Sequence, residues 1–183
     1  MKNIFFCGEC GAGKSFAASY VRLKYGFLPI KLAAPLYQLR NMYFPGKDKR
    51  ELFQFMGTDV GREQIGGDIW VDRFMQDTEI VTKAYQEFYS KTPYFVCDDV
   101  RAVNEYLYLI NSGWVGVYLS APEKIRIERL EMRDGDACVD RLSHGIEKEI
   151  ESFKDKLIQI DSSGTLEEMC TAIDKVCEDE GVV

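Results

Sequence analysis

Residues 8–15 have the sequence GECGAGKS and directly follow residues 4–7, IFFC. The short apolar run predicts a buried β-strand, and the pattern of residues 14–25 predicts a helix. A G-x-x-x-x-G-K-[ST] pattern between a strand and a helix is typical of a loop whose backbone N–H groups bind phosphate at the positive end of the helix. The stretch therefore predicts a phosphate loop that binds a nucleoside triphosphate.

Two side chains of this loop have expected roles of their own. The Lys14 ammonium can contact the terminal phosphates, and the Ser15 hydroxyl can be a ligand of Mg²⁺. The nucleotide itself is expected to bind along the loop and the first turn of the helix. The residues expected to bind ATP are Gly8, Cys10, Gly11, Ala12, Gly13, Lys14, Ser15 and Phe16. The motif does not distinguish a kinase from a GTPase, a motor ATPase or a nucleotide-gated switch.

The rest of the chain alternates short apolar runs with longer amphipathic ones. Strands are predicted at residues 4–7, 27–32, 94–97, 114–119 and 157–160. Helices are predicted at residues 14–25, 35–43, 49–65, 70–90, 102–111, 122–133, 143–155 and 165–179. This alternation predicts an α/β fold, in which a five-stranded parallel sheet carries helices on both faces. Ligands of such sheets bind beyond the carboxyl ends of the strands.

Composition and net charge indicate which classes of binding partner the chain is expected to have. The chain has 183 residues, 46% of them hydrophobic, and a net charge of −7, which predicts one globular domain. Such an acidic chain is not expected to bind nucleic acid or an anionic membrane. It has no long apolar run and no signal-peptide pattern, so we expect it in the cytoplasm with its six cysteines as free thiols. Cys7 and Cys10 form a C-x-x-C, but no second pair completes a zinc site.

A second polar cluster follows the predicted strand at residues 94–97. Asp98 and Asp99 are placed there to hold Mg²⁺ or its water shell, and Arg101 can grip a second phosphate. Asp98 can equally orient Arg101, and both aspartates can be turn residues that cap the next helix. The sequence leaves these alternatives open.

Three arginines lie on the predicted helix at residues 122–133. Arg126, Arg129 and Arg133 share one helix face, and a polar loop at residues 134–142 follows them. A lid at about residues 126–143 could close over a triphosphate, with Arg129 and Arg133 stabilising charge on the transferring group. The alternative is a solvated face in which neighbouring glutamates pair with the arginines.

The remaining sequence favours a small acceptor kinase. No N/T-K-x-D follows a strand, so a guanine-specific switch is disfavoured, and a motor ATPase usually has more chain. Residues 35–90, between the second and third predicted strands, are long enough to form an acceptor-binding insertion. Transfer between two phosphates needs positioning and charge neutralisation rather than a general base, and it needs exclusion of water by a closing lid.

Four further motifs accompany the phosphate loop. They are LAAPL at residues 32–36, G-T-x-x-G-R at 57–62, D-x-W-V at 68–71 and D-D-V-R-x-x-N-E at 98–105. With them, nearly the whole chain resembles the nucleoside monophosphate kinase group of P-loop proteins, and within it the phage-type deoxynucleoside monophosphate kinases. Adenylate-kinase-like relatives carry D-G-F-P-R where this chain has residues 98–101, so the role of Asp99 is left open.

The resemblance implies a P-loop NTPase fold and transfer of the γ-phosphoryl group of ATP to a deoxynucleoside 5′-monophosphate. It implies one kinase domain with its core at residues 1–34, 92–121 and 156–183, and it leaves open a homodimer. By resemblance, Arg62 and Arg101 bind the acceptor phosphate and Trp70 lines the acceptor pocket. The implied catalytic residues are Lys14, Asp98, Arg129 and Arg133, the implied substrate-binding residues are Arg62, Asp68, Trp70, Arg101, Asn104 and Glu105, and the implied Mg²⁺ ligands are Ser15, Asp98 and Asp99. A dephospho-coenzyme A kinase and a non-catalytic nucleotide-binding module remain the alternatives.

Overall fold

The computed structural model describes residues 1–134 and 147–183. Its sheet has five strands, all parallel, in the order β2-β3-β1-β4-β5. The strands are β1 Ile4–Gly8, β2 Leu28–Pro29, β3 Phe95–Cys97, β4 Val115–Ser120 and β5 Ile158–Asp161. The predicted parallel five-stranded sheet is therefore confirmed. Strand β2 is much shorter than the predicted 27–32, because Pro29 has no N–H to donate and confines the strand to the edge of the sheet.

Helices follow the strands in the predicted alternation. They are α1 Lys14–Tyr25, α2 Ala34–Tyr43, α3 Lys49–Phe53, α4 Ile69–Tyr89, α5 Val103–Asn111, α6 Glu123–Asp134, α7 Glu147–Glu151 and α8 Leu166–Asp179, with a π-helix at Gln54–Ile65 and a 3₁₀ turn at Lys154–Lys156. Among the residues described, none of these helices is long and apolar enough to cross a lipid bilayer.

The chain forms two compact units. The sheet unit comprises Met1–Pro29 and Tyr94–Val183, and it contains all five strands with α1, α5, α6, α7 and α8. The helical unit comprises Ile30–Pro93, and it contains α2, α3, α4 and the π-helix.

The core of the sheet unit surrounds β1. Every residue of this strand is buried, and Phe5 and Phe6 are both 0% exposed. Because consecutive residues of a strand point to opposite faces, both faces of the sheet at β1 are covered. On the Phe6 face, Ala17 from α1 and Ile173 from α8 complete the packed cluster. The continuous apolar run at residues 4–7 thus reflects a strand without a solvent face, as expected for a parallel sheet.

The sheet topology predicts a crevice at the carboxyl end of β1. This strand lies between β3 and β4, with Phe5 beside Cys97 and Gly8 beside Leu119. The chain leaves β1 toward β2 on one side of the sheet and leaves β4 toward β5 on the other. Loops that diverge in this way leave a binding crevice between them. The phosphate loop starts at this point.

The segment at residues 49–65 differs from the single helix that its sequence predicts. Only Lys49–Phe53 is α-helical, and Gln54–Ile65 is a π-helix. Its two buried glycines are packed closely. A Cβ at Gly57 would lie 2.9 Å from the Leu36 side chain, and one at Gly61 would lie 2.6 Å from the Trp70 ring. Glycines here let neighbouring side chains pack directly on the backbone, and a π-helix is often found at functional sites.

A polar cluster joins α1 to α8 on the surface of the sheet unit. The Asp174 carboxylate accepts hydrogen bonds from Tyr20 (2.9 Å), Tyr25 (2.7 Å) and Lys24 (2.6 Å). Partial burial raises the pKa of Asp174, but these hydrogen bonds outweigh it and leave the pKa below its usual value. The charged carboxylate therefore stabilises the packing of the two helices.

We expect Asp174→Asn to lower the free energy of unfolding by about 1 kcal/mol near neutral pH, because it removes the charge from this cluster. A carboxyl whose pKa is lowered in the folded state stabilises above its unfolded pKa of about 3.9, and this stabilisation is lost as the pH falls through the lower folded value. Urea unfolding between about pH 7 and about pH 3 should show the difference from wild type shrinking with acid. Asp179→Asn, an exposed change on the same helix, is the control, and an equal loss in both variants would contradict the role of Asp174.

Candidate nucleotide-binding site

The backbone of the phosphate loop adopts a shape that only glycine fits. Gly8, Gly11 and Gly13 have φ of +140°, +84° and +94°. A Cβ at Gly8 would overlap the carbonyl oxygen of Leu119, and one at Gly11 would lie 2.7 Å from the carbonyl oxygen of Arg126. The loop is therefore tightly packed against the end of β4 and against α6.

Lys14 begins α1 and its side chain folds back over the loop. Its Nζ donates hydrogen bonds to the carbonyl oxygens of Gly8 (2.6 Å) and Glu9 (2.8 Å). Ser15 and Phe16, in the first turn of α1, are exposed. A fixed ammonium beside the positive end of a helix suits polyphosphate binding.

Arg126 supports the loop from its outer side. Its guanidinium donates from Nε to the carbonyl oxygen of Ala121 (3.2 Å) and from Nη1 to that of Cys10 (3.3 Å), and Nη2 pairs with Glu9 Oε1 at 3.0 Å. Sequence reasoning missed this role and placed Arg126 only on a shared arginine face. The sequence offers only the apolar Leu130 four residues later, on the same side of the helix, and this residue does not identify the partners of Arg126.

Ser162, after β5, is a second support that sequence reasoning missed. Its hydroxyl lies 2.8 Å from the carbonyl oxygen of Ala12 and 2.9 Å from that of Ser120. Its own carbonyl oxygen accepts a hydrogen bond of 2.6 Å from Arg129 Nη2. Arg129 is therefore held by Ser162, a residue that also contacts the loop. No sequence signal marks a single serine in a turn for this role.

The three arginines of the expected α6 face differ in solvent exposure. Arg126 is buried, Arg129 is half-buried and Arg133 is exposed near the end of the described segment. The structure thus places Arg129 against Ser162, which itself contacts the phosphate loop, and gives Arg126 a supporting role. The lid expected at about residues 126–143 lies outside the described residues beyond residue 134.

Asp98 and Asp99 follow β3, the strand next to β1. Asp98 is 8% exposed, and Asp99 Oδ1 accepts a hydrogen bond of 3.1 Å from the Cys97 thiol. Burial and the neighbouring Asp99 raise the pKa of Cys97 well above its usual value, so the thiol stays protonated. The carboxylates and the exposed Ser15 hydroxyl supply the oxygen donors that Mg²⁺ prefers. These residues therefore fit a nucleotide-bound Mg²⁺, although the described parts of the chain contain no cluster of three or more His, Cys, Asp and Glu that could hold a metal by itself.

The cysteines described show no disulfide. Cys7, Cys10, Cys97, Cys170 and Cys177 are free thiols. Burial raises the pKa of Cys7 to about 12, which makes it a poor metal ligand at neutral pH. Cys138 lies outside the described residues.

Residues 101 and 102 directly precede α5, and residues 103–105 belong to its first turn. The Glu105 carboxylate is 3% exposed and accepts hydrogen bonds from the backbone N–H groups of Arg101 (2.7 Å) and Ala102 (3.0 Å). The structure therefore gives Glu105 a helix-capping role, where the sequence resemblance implied contact with substrate. The Arg101 side chain is exposed and Asn104 is half-buried, so both stay predicted substrate ligands.

The helical unit holds the other predicted substrate residues close together in sequence. Trp70 Nε1 donates a hydrogen bond of 2.8 Å to the carbonyl oxygen of Gly57, and its ring packs on Gly61. Trp70 therefore fastens α4 to the π-helix, and its role in a substrate pocket stays a prediction. Arg62, in the π-helix, is half-buried, and Asp68, just before α4, is exposed.

We expect Gly8→Ala to lower the free energy of unfolding by at least about 2 kcal/mol, because the new Cβ meets Leu119 and the backbone angle is strained for any other residue. Gly46→Ala is the matched control, since a Cβ there meets no atom within 4 Å. Chemical denaturation of both variants measures the difference. Equal stability of the two variants would contradict the close packing of β1 on β4.

Comparison with known proteins shows the fold of the chain. No protein-family model and no curated protein matches it. Among solved structures, TT1252 from Thermus thermophilus has a TM-score of 0.58 and 19% identity, with 98% of each chain covered. A gluconokinase from Sinorhizobium meliloti 1021 has a TM-score of 0.55 and 16% identity, covering 97% of this chain and 94% of its own. Shikimate kinase from Aquifex aeolicus vf5 has a TM-score of 0.55 and 14% identity, with 98% of each chain covered.

These similarities agree with the α/β fold of the chain. Two of the three proteins are kinases by name, and their identities to this chain are below the level that would transfer a substrate. The chain therefore has the α/β fold of the P-loop NTPases.

Proposed function

We propose that this protein is a kinase that transfers the γ-phosphoryl group of ATP to a deoxynucleoside 5′-monophosphate. The observation that carries the proposal is the phosphate loop, whose glycines at positive φ and folded-back Lys14 directly follow the central strand β1. The choice of acceptor rests on the G-T-x-x-G-R, D-x-W-V and D-D-V-R-x-x-N-E motifs.

On the donor side, the chain supplies charge and fixed geometry. The loop N–H groups and the N-terminal end of α1 bind the phosphates, and Lys14 neutralises charge that develops during transfer. Ser15 and the carboxylates of Asp98 and Asp99 would hold Mg²⁺, which would neutralise part of the phosphate charge. Arg129, anchored on Ser162, and Arg133 are proposed to stabilise the transferring group.

On the acceptor side, cationic side chains have to overcome repulsion between two phosphorylated substrates. We assign the acceptor phosphate to Arg62 and Arg101, and recognition of the nucleoside to Asp68, Trp70 and Asn104. A monophosphate is already anionic, so this reaction requires no side chain to remove a proton. Positioning of the acceptor is therefore the main contribution of these residues.

Kinases with a hydroxyl acceptor are the second candidate class. The comparison proteins include a gluconokinase and a shikimate kinase, and a dephospho-coenzyme A kinase belongs to the same class. A hydroxyl acceptor requires a group that accepts its proton, and an aspartate commonly does this in kinases. Asp98 or Asp99 could take this role, because both follow β3 beside the central strand.

A coupled assay of ADP release separates these functions. Purified protein with MgATP is offered the deoxynucleoside monophosphates, the ribonucleoside monophosphates, dephospho-coenzyme A, gluconate and shikimate in turn. ADP release that depends on a deoxynucleoside monophosphate supports the proposal, and release only with a hydroxyl acceptor supports the second class. MgATP binding without ADP release for any acceptor would instead indicate a regulatory module.

We expect Lys14→Ala to lower kcat by about 100-fold or more, because the charge opposite the transferring phosphate is lost. The coupled assay at saturating MgATP measures this. Lys175→Ala, which removes an exposed lysine from α8, is the control and should retain wild-type turnover. Near-normal turnover of Lys14→Ala would contradict the assignment of the phosphate loop to catalysis.

We expect Arg62→Ala to raise the KM for the acceptor by about 10-fold or more, since a charge-assisted contact to its phosphate is lost, while the KM for ATP stays near wild type. Arg73→Ala removes an exposed arginine of the same unit, whose partner is Asp77 at 2.6 Å, and serves as the control. Initial rates over a range of both substrates separate the two constants. An unchanged acceptor KM would remove Arg62 from the site.

A further inference from the structure

The carbonyl groups of the phosphate loop are held from outside the loop. The Cys10 carbonyl accepts a hydrogen bond from Arg126 in α6, and the Ser162 hydroxyl, which has one hydrogen to donate, lies 2.8 Å from the Ala12 carbonyl oxygen and 2.9 Å from that of Ser120. We call Arg126 and Ser162 the outer brace. Both residues are buried, at 6% and 1% exposed, and neither belongs to the sequence motif.

Because peptide groups are planar, these contacts to the carbonyl groups also set the direction of the neighbouring N–H groups. The peptide bond is planar, and its C=O and N–H point in opposite directions in a trans peptide. The structure contains no cis peptide bond among the residues described. A Cys10 carbonyl directed at Arg126 therefore turns the N–H of Gly11 away from α6. In the same way, an Ala12 carbonyl directed at Ser162 turns the N–H of Gly13 away from Ser162.

A loop that binds phosphate requires its N–H groups to point to a common side before the ligand arrives. Glycine has more accessible backbone conformations than any other residue, so the sequence of a loop with three glycines does not by itself fix the orientation of these peptides. The outer brace supplies this restraint. Arg126 also pairs with Glu9 and contacts the Ala121 carbonyl, which fixes its guanidinium between the loop and the start of α6.

We propose that Arg126 is a positioning residue that orients the peptide groups of the phosphate loop for the polyphosphate of a nucleoside triphosphate, with Ser162 acting in the same way. The proposal rests on the nucleotide site of the proposed function and adds residues that determine its affinity. Arginine is suited to this role because its planar fork can bind the Glu9 carboxylate and two carbonyl oxygens together. A lysine at this position has one ammonium and cannot hold all three partners in the same geometry.

The test is MgATP binding by isothermal titration calorimetry, at a temperature well below the unfolding midpoint of every variant. Arg126→Met is expected to weaken MgATP binding by about 10-fold to 100-fold, because the loop loses a charge-assisted restraint. Arg126→Lys and Ser162→Ala are expected to weaken it less. Lys124→Met, an exposed change two residues away on α6, is the matched control and should bind MgATP as wild type does.

The measurement separates positioning from support of the fold. A residue that only stabilises the fold would lower the unfolding midpoint and leave the Kd for MgATP unchanged below it, and this result would overturn the proposal. If Arg126→Met does not fold, Arg126→Lys and Ser162→Ala decide the question by the same criterion. Where acceptor-dependent turnover is found, the KM for ATP should rise in Arg126→Lys while the acceptor KM stays constant.

Failure of the proposed function gives a different result. A wild-type protein that binds MgATP but phosphorylates no acceptor contradicts the kinase assignment, and the loss of affinity in the brace variants still tests the positioning role. Absence of MgATP binding by the wild-type protein would overturn both proposals.

Discussion

The close contact between Gly8 and the end of β4 is the constraint on which the rest of the site depends. At Gly8 the chain passes so near the Leu119 carbonyl that no side chain fits, and the turn that follows starts at the crevice of the sheet. Strand β1 can hold this position because all of its residues are buried and it has a partner strand on either side. The phosphate loop is therefore attached to a fully buried strand that is paired on both sides.

Elements distant in sequence then determine the shape of this loop. Helix α6 contributes Arg126, the turn after β5 contributes Ser162, and α8 contributes Met169, whose side chain would lie 3.2 Å from a Cβ at Gly13. A glycine-rich loop has high conformational entropy when it is unsupported. Tertiary contacts from three separate elements reduce this freedom, and the same contacts connect the loop to Arg129 on α6 through Ser162.

The sequence predicts the secondary structure of the sheet unit better than that of the helical unit. The strands and most helices of the sheet unit agree with the sequence, because a buried parallel strand has an apolar pattern that few other structures share. The π-helix was not predictable, since its apolar spacing resembles that of an α-helix and its geometry depends on Leu36 and Trp70 packing against Gly57 and Gly61. The motif predicts that Glu105 binds substrate, and this stays a prediction; only the structure shows that its carboxylate caps α5.

The sequence by itself determined the fold class, the position of the phosphate loop and the order of strands and helices, because these depend on local patterns of apolar residues, glycine and lysine. Only the tertiary structure decided which polar side chains support the loop. Arg126 and Ser162 lie 116 and 150 residues from the carbonyls that they hold, and no local pattern encodes a contact over that distance. The physical reason is burial. The guanidinium of Arg126 is buried and therefore needs hydrogen-bond partners inside the protein, and a carbonyl of the loop is one of them.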